Sequence, residues 1–131
     1  MQNRIVGTES HDQVDGTNLG DEVVTFAGHD FIYTFEGDDI VDSGSGNDVV
    51  EAGDGDDTVN AGEGHDIVDG GFGDDIIFAG AGFDISDGGE GSDIYLVGLE
   101  NLGFVDTYAD TGTTGFDSIL AIEDGTVIGL N

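Results

Sequence analysis

The chain has almost no positive charge. Arg4 is its only lysine or arginine among 131 residues, against 30 Asp and Glu, and the formal net charge is −29. Binding to nucleic acid and direct attraction to anionic lipid both depend on Lys and Arg side chains, so the composition argues against either partner. A carboxylate excess this large weakens a compact fold by self-repulsion, which indicates that cations are part of the folded molecule.

Cysteine and proline are absent as well. Without cysteine no disulfide supplements the core, and without proline or a glycine at every third residue the chain is not collagen-like. No apolar run approaches the length of a membrane span, and no basic-then-apolar signal peptide opens the chain. We therefore expect no transmembrane segment and, for an exported protein, a route without an N-terminal signal or a longer N-terminal part.

Glycine and aspartate are abundant and follow a nine-residue period. Between Ser43 and Leu96 the chain consists of the blocks SGSGNDVVE, AGDGDDTVN, AGEGHDIVD, GGFGDDIIF, AGAGFDISD and GGEGSDIYL. Glycine occupies positions two and four of all six blocks, and the candidate ligand turns carry it at Gly44, Gly46, Gly53, Gly55, Gly62, Gly64, Gly71, Gly73, Gly80 and Gly82. Extended backwards, position six is Asp12, Asp21, Asp30, Asp39, Asp48, Asp57, Asp66, Asp75, Asp84 and Asp93. Such a fixed period indicates a repeat protein whose units bury a shared core by stacking.

Each block divides into a glycine-rich turn and a short strand. In a strand, position eight faces the opposite side from positions seven and nine. Position eight carries Val14, Val23, Ile32, Val41, Val50, Val59, Val68, Ile77, Ser86 and Tyr95. This nearly continuous apolar column is predicted to face the core. The outward Val49, Ile67 and Ile85 in one sheet, and Ile40, Ile76 and Ile94 in the other, reflect either strand propensity alone or a docking surface.

The block Gly70–Phe78 resembles the RTX calcium-binding nonapeptide repeat, G-G-x-G-x-D-x-U-x with U a large apolar residue, at every defined position. The resemblance implies an all-β fold, a right-handed parallel β-roll in which two blocks make one turn of a two-sheet solenoid. It divides the chain into a lead-in at residues 1–6, a roll of ten blocks at 7–96 and a non-repetitive capping flank at 97–131, where an isolated echo of the repeat surrounds Asp117.

The turns carry the chemistry of a hard cation. Glycine allows the backbone to turn carbonyls toward a common point, and the Asp at position six adds a carboxylate, which together suit Ca²⁺ better than Mg²⁺. Because one turn has too few oxygens, each ion should lie between turns eighteen residues apart, as with Asp48 and Asp66. The ten Asp residues allow at most about eight sites, which would reduce the net charge to about −13. The four sites from Ser43 onward should be tight. In earlier turns Ser10, Leu19, Phe26 and Phe35 replace glycine, and their side chains are expected to constrain the left-handed backbone that aims the carbonyls.

No catalytic constellation is visible, so the chain is expected to be no enzyme. The family resemblance implies a module that folds on extracellular calcium and supports the secretion, folding or stability of a larger exported protein, at the cell surface or beyond it. The alternative is a recognition module of the same fold, such as a polysaccharide-binding or adhesin repeat. Its ligand would be a neutral glycan or an anionic one bridged by calcium, since the chain has no basic face.

Overall fold

The computed structural model describes residues 2–98, 106–123 and 126–128. Every regular element in these residues is a β-strand. The described residues accordingly contain no helix that could span a membrane. The strands are β1 Asn3–Val6, β2 Gln13–Asp15, β3 Asp21–Val24, β4 Phe31–Tyr33, β5 Ile40–Asp42, β6 Val49–Asp54, β7 Thr58–Asn60, β8 Glu63–Gly64, β9 Ile67–Phe72, β10 Ile76–Phe78, β11 Ala81–Gly82, β12 Ile85–Glu90, β13 Ile94–Gly98, β14 Thr107–Ala109, β15 Ser118–Glu123 and β16 Thr126–Ile128.

The strands alternate between two large sheets along the chain. One sheet has the order β1-β3-β5-β7-β10-β13-β15-β16 and the other β14-β12-β9-β6-β4-β2, while β8 and β11 form a small pair. From β1 to β13 the pairing of the two large sheets is parallel and in register at eighteen residues, so that Val50 lies beside Val68 and Val59 beside Ile77. The predicted parallel β-roll with two blocks per turn is confirmed.

The core lies between the two sheets, and the short strand of each block contributes one inward side chain to it, at position eight. All ten residues at position eight are buried, which confirms the predicted inward column. Small residues at position one, for which the sequence carries no hydrophobic signal, complete the core: Thr25, Thr34, Ser43, Ala52, Ala61 and Ala79. The buried hydroxyls of Thr25, Thr34 and Ser43 donate to carbonyls of the next turn, which satisfies them without water.

The roll is longer than the ten blocks. At the N-terminus β1 pairs with β3, so the lead-in contributes a strand. Beyond Leu96, β14 pairs with β12 and β15 with β13, both in parallel, before β16 closes its sheet as an antiparallel edge strand. The expected capping flank at 97–131 thus adds strands to both sheets, although its next block in register would place Leu102, which lies outside the described residues, where Asp belongs.

Tyrosines replace aliphatic residues where the described core ends. Tyr95 packs against Tyr108 with ring centroids 5.2 Å apart. The Tyr95 hydroxyl accepts the Gly88 N–H and donates to the Ala109 carbonyl, each at 2.7 Å. The turns of the roll after Leu96 are longer than eighteen residues, and they bury the Tyr95 ring with its hydroxyl group hydrogen-bonded.

Candidate metal centre

The aspartates at position six form two buried columns, one along each edge of the roll. The backbone N–H of each donates to Oδ1 of the Asp one turn of the roll, or rung, later. This bond joins Asp48 to Asp66 at 2.8 Å and Asp66 to Asp84 at 2.9 Å. The same bond joins every successive pair in both columns from Asp12 to Asp84 and from Asp21 to Asp93. The register therefore fixes one carboxylate oxygen at each rung and directs the side chain between two turns.

The second carboxylate oxygen has no partner in most of these residues. Oδ2 is buried and makes no hydrogen bond in Asp30, Asp39, Asp48, Asp57, Asp66, Asp75, Asp84 and Asp93. A buried carboxylate oxygen without a donor is costly unless a cation neutralises it. The residues present therefore fit a hard cation held by oxygen ligands.

The glycines at positions two and four bring successive turns into backbone contact. At Gly64 φ is +148°, and a Cβ there would overlap the carbonyl oxygen of Gly46. Gly62 stands in the same relation to the Gly44 carbonyl, and the pattern recurs at Gly71, Gly73, Gly80 and Gly82. Only glycine permits both the positive φ and the close approach to the carbonyl oxygen of the turn below. The stacked turns, whose carbonyl oxygens surround the aspartates as a cradle, therefore depend on this residue type.

No three side chains of His, Cys, Asp or Glu among the described residues gather as a metal-binding cluster. Two stacked turns bring together one Asp from each, with the backbone of both glycine-rich segments around them. A cation of high coordination number would thus take most of its ligands from carbonyl oxygens, as Ca²⁺ does in flexible oxygen sites.

Burial makes the central aspartates hard to ionise in the folded chain without ions. It raises the pKa of Asp57, Asp66 and Asp75 to about 7, with neighbouring aspartates of the column adding to the rise. Burial also raises the pKa of Asp39, Asp48, Asp84 and Asp93. The strongest rises lie in the middle of the roll, where the glycine turns are complete.

The first two turns are closed in a different way. Thr8 and Thr17 occupy position two, and in each the backbone N–H donates to Oδ2 of the Asp in its own block at 2.6 Å. Their hydroxyls also contact the same carboxylates, at 3.2 Å to Asp12 and 3.1 Å to Asp21. Oδ2 of these aspartates is therefore satisfied by protein donors, unlike that of later rungs.

Phe26 and Phe35 correct one expectation about the turns. Their Cβ atoms were expected to constrain the left-handed backbone, yet φ is +78° at Phe26 and +76° at Phe35, as at the glycines that follow. A left-handed residue with a side chain costs about 1 to 2 kcal/mol. The turns below them, at Thr8 and Thr17, have no left-handed φ at position two, and the conformation of the complete repeats begins at these phenylalanines.

Both aspartate columns continue past the ten blocks. The N–H of Asp84 donates to Oδ1 of Asp106 at 3.2 Å, and that of Asp93 to Oδ1 of Asp117 at 3.0 Å. Gly112 and Gly115 stack on Gly89 and Gly91. The sequence signal for Asp117 was its isolated G-T-T-G-F-D motif, whereas Asp106 has no such motif because the spacing to Asp84 is 22 residues.

The sequence profile of the RTX calcium-binding nonapeptide repeat, in four copies, matches residues 15–50, 51–86 and 70–101, which together span more than half of the chain. No curated protein matches the chain significantly. The matched ranges contain the rungs in which glycine cradles and unpartnered Oδ2 atoms occur together. The chain belongs to the RTX calcium-binding nonapeptide-repeat family.

Proposed function

We propose that the chain is a calcium-dependent structural module that is unfolded without calcium, folds in extracellular calcium and supports the secretion, folding or stability of a larger exported protein. The observation that carries the proposal is the pair of buried columns of unpartnered Oδ2 atoms. At the −29 charge of the chain, these columns oppose folding until divalent cations neutralise them.

Calcium would be held between turns eighteen residues apart. The tightest sites are those of Asp48 with Asp66, Asp66 with Asp84, Asp57 with Asp75, and Asp75 with Asp93, where both turns carry glycine at positions two and four. The pairs Asp30 with Asp48 and Asp39 with Asp57 bind less tightly. Those of Asp12 and Asp21 bind least, because Thr8 and Thr17 already satisfy their carboxylates. The ten blocks then hold at most about eight ions.

Export and the parent protein are inferred from the family. Proteins with this repeat are typically exported, and a chain that cannot fold where calcium is scarce stays extended until it reaches a calcium-rich medium. The absence of a catalytic arrangement from the sequence fits a supporting role. Recognition of a polysaccharide remains the alternative, tested by binding of neutral glycans to the calcium-loaded chain.

Calcium titration followed by far-UV circular dichroism tests the proposal. We expect little β-structure at neutral pH in excess chelator, and a cooperative gain of β-signal with a midpoint of about 0.1 to 1 mM calcium, the range of extracellular calcium modules. Magnesium at equal concentration is the control and should induce little structure, because it demands stricter geometry and gives up water reluctantly. Full β-structure in chelator would refute the proposal.

A further inference from the structure

One outer face of the roll carries an apolar and an acidic column side by side. On the sheet of β2, β4, β6, β9, β12 and β14, the apolar column consists of Phe31, Val49, Ile67 and Ile85 at position seven. Phe31, Ile67 and Ile85 are 50%, 48% and 49% exposed. Strand propensity explains single β-branched residues, but four stacked apolar side chains form a continuous uncovered strip.

The acidic column, at position nine of the same sheet, consists of Glu51, Asp69 and Asp87. The parallel register places Glu51 beside Asp69 and Asp69 beside Asp87. Partial burial and then the neighbouring charges of Asp87 and Glu51 raise the pKa of Asp69. Stacked like charges destabilise a sheet, so this column has a cost that cationic groups on a partner would relieve.

The opposite sheet has neither a continuous apolar column nor an acidic one. At position seven Thr58 lies between Ile40 and Ile76, which are 47% and 37% exposed. Position nine runs through Asp42, Asn60 and Phe78 with a single carboxylate. The paired columns thus belong to one face and do not follow from the repeat, which defines neither position seven nor position nine.

The dimensions of the face favour a helix lying along the roll axis. Rungs repeat at about 4.8 Å and an α-helix at about 5.4 Å per turn, so over the three intervals of the apolar column the two differ by only about 2 Å. Same-side residues of an extended strand repeat at nearly 7 Å and lose register within two rungs. Positions seven and nine are also about 7 Å apart along each strand, close enough for the flank of one helix to reach the acidic column.

We propose that this face is a docking surface for a basic amphipathic helix of a partner protein. Its apolar stripe would cover Phe31, Val49, Ile67 and Ile85, while Lys or Arg on one flank would pair with Glu51, Asp69 and Asp87. The chain cannot supply this helix itself, because Arg4 is its only such cation. A second copy would bring the same acidic column to the interface. The proposal rests on the proposed function, since the face exists only in the folded roll.

A designed peptide of about 15 residues tests the surface, with leucine at i, i+4, i+7 and i+11 and lysines along one flank. Its affinity for the calcium-loaded chain is measured by isothermal titration calorimetry. A scrambled peptide of the same composition controls for nonspecific attraction to an acidic protein. We expect the ordered peptide to bind at least about tenfold more tightly than the scrambled one. Equal binding of the two would overturn the proposal.

Matched variants locate the binding. Ile67→Thr/Ile85→Thr keeps β-branched residues but removes apolar surface, and should weaken binding by about tenfold. Ile40→Thr/Ile76→Thr makes the same change on the opposite sheet and should leave the affinity unchanged. Equal losses, no loss in the first variant, or a dimer of the chain that Ile67→Thr/Ile85→Thr dissociates would each overturn the assignment. Circular dichroism in calcium shows that both variants fold, which separates this result from a failure of calcium-dependent folding.

Discussion

From Asp30 to Asp93, each aspartate of the two columns divides its oxygens between two tasks. Oδ1 of Asp66 accepts the Asp48 N–H at 2.8 Å, while Oδ2 is buried without a donor. The first oxygen fixes the register of the turn, and the second is the candidate ligand. Because the Asp66 N–H in turn donates to Asp84, this residue lies between two candidate sites.

Asp66→Asn separates these tasks, since an amide keeps an Oδ1 acceptor but replaces the anionic Oδ2. We expect both neighbouring sites to weaken and the calcium midpoint of folding to rise by roughly threefold to tenfold, because ligand charge sets calcium affinity. Glu63→Gln removes the same charge from an exposed position of the same block and is the control. Calorimetric ion counts that remain equal in the two variants would contradict shared sites.

Gly64 shows the role of the fourth position most clearly. Its φ of +148° and its contact with the Gly46 carbonyl leave no space for a side chain. We expect Gly64→Ala to lower the free energy of unfolding in saturating calcium by roughly 3 kcal/mol or more. Glu63→Ala, at an exposed neighbouring position, should have little effect. Urea unfolding measures both, and a tolerated alanine at position 64 would show that the turns do not need this approach.

At the scale of the element, the turn of the second block is closed by protein donors. Thr17 holds Asp21 through its N–H and hydroxyl, and Leu19 stands where later blocks have glycine. Thr17→Gly/Leu19→Gly restores glycine at positions two and four. We expect the double variant to bind additional calcium between Asp21 and Asp39, because Oδ2 of Asp21 loses its Thr17 hydroxyl donor and the turn gains left-handed freedom.

Calorimetric stoichiometry compares this variant with the wild type. Thr58→Gly/Leu19→Ala also changes one threonine to glycine and removes the Leu19 side chain, but it leaves Thr17 in place and should add no site. An unchanged ion count in Thr17→Gly/Leu19→Gly would show that glycine at these positions does not control binding.

The elements predicted from sequence are those whose signal repeats. Position eight identified the inward column because an apolar residue recurs there, and position six identified the aspartate columns in the same way. The burial of position one could not be predicted, because its residues, such as Thr34, Ala52 and Gly70, share only small size. Small size alone does not indicate a core position in one sequence. The place of Asp106 in the aspartate column could not be predicted either, because the additional residues before it shift the nine-residue period. The parallel pairing of β12 with β14 nevertheless aligns it with the column.

Phe26 and Phe35 were misjudged for a physical reason that no pattern reveals. A side chain at a left-handed position is penalised by about 1 to 2 kcal/mol, which a stacked fold can overcome. Steric overlap is decisive only where the turn below has the same conformation, as at Gly44 above the Phe26 carbonyl. The left-handed conformation at position two therefore begins at Phe26 and Phe35, whereas glycine becomes necessary there one rung later, at Gly44 and Gly53.

At the scale of the whole molecule, protons and calcium compete for the same columns. The pKa of Asp57, Asp66 and Asp75 is about 7 in the roll without ions, against about 3.9 in an unfolded chain. A folded-state pKa that is raised favours folding at low pH: its contribution is complete below the unfolded pKa and is lost as the pH rises through about 7. Protonation thus partly replaces calcium as the means of removing charge from the core.

We therefore expect β-structure in chelator to increase as the pH falls from about 8 to about 5, and the calcium needed to complete folding to decrease over the same range, because protonated carboxyls already remove part of the buried charge. Far-UV circular dichroism at fixed chelator, and then in calcium titrations, measures both trends. Asp57→Asn/Asp75→Asn should flatten the dependence in chelator, because it removes two of the buried titrating carboxyls. Asp15→Asn/Asp42→Asn removes as many exposed carboxylates and should retain the dependence, which distinguishes the buried columns from general charge repulsion. Stability in chelator that rises with pH would show that the columns are not buried as carboxylic acids in the calcium-free roll.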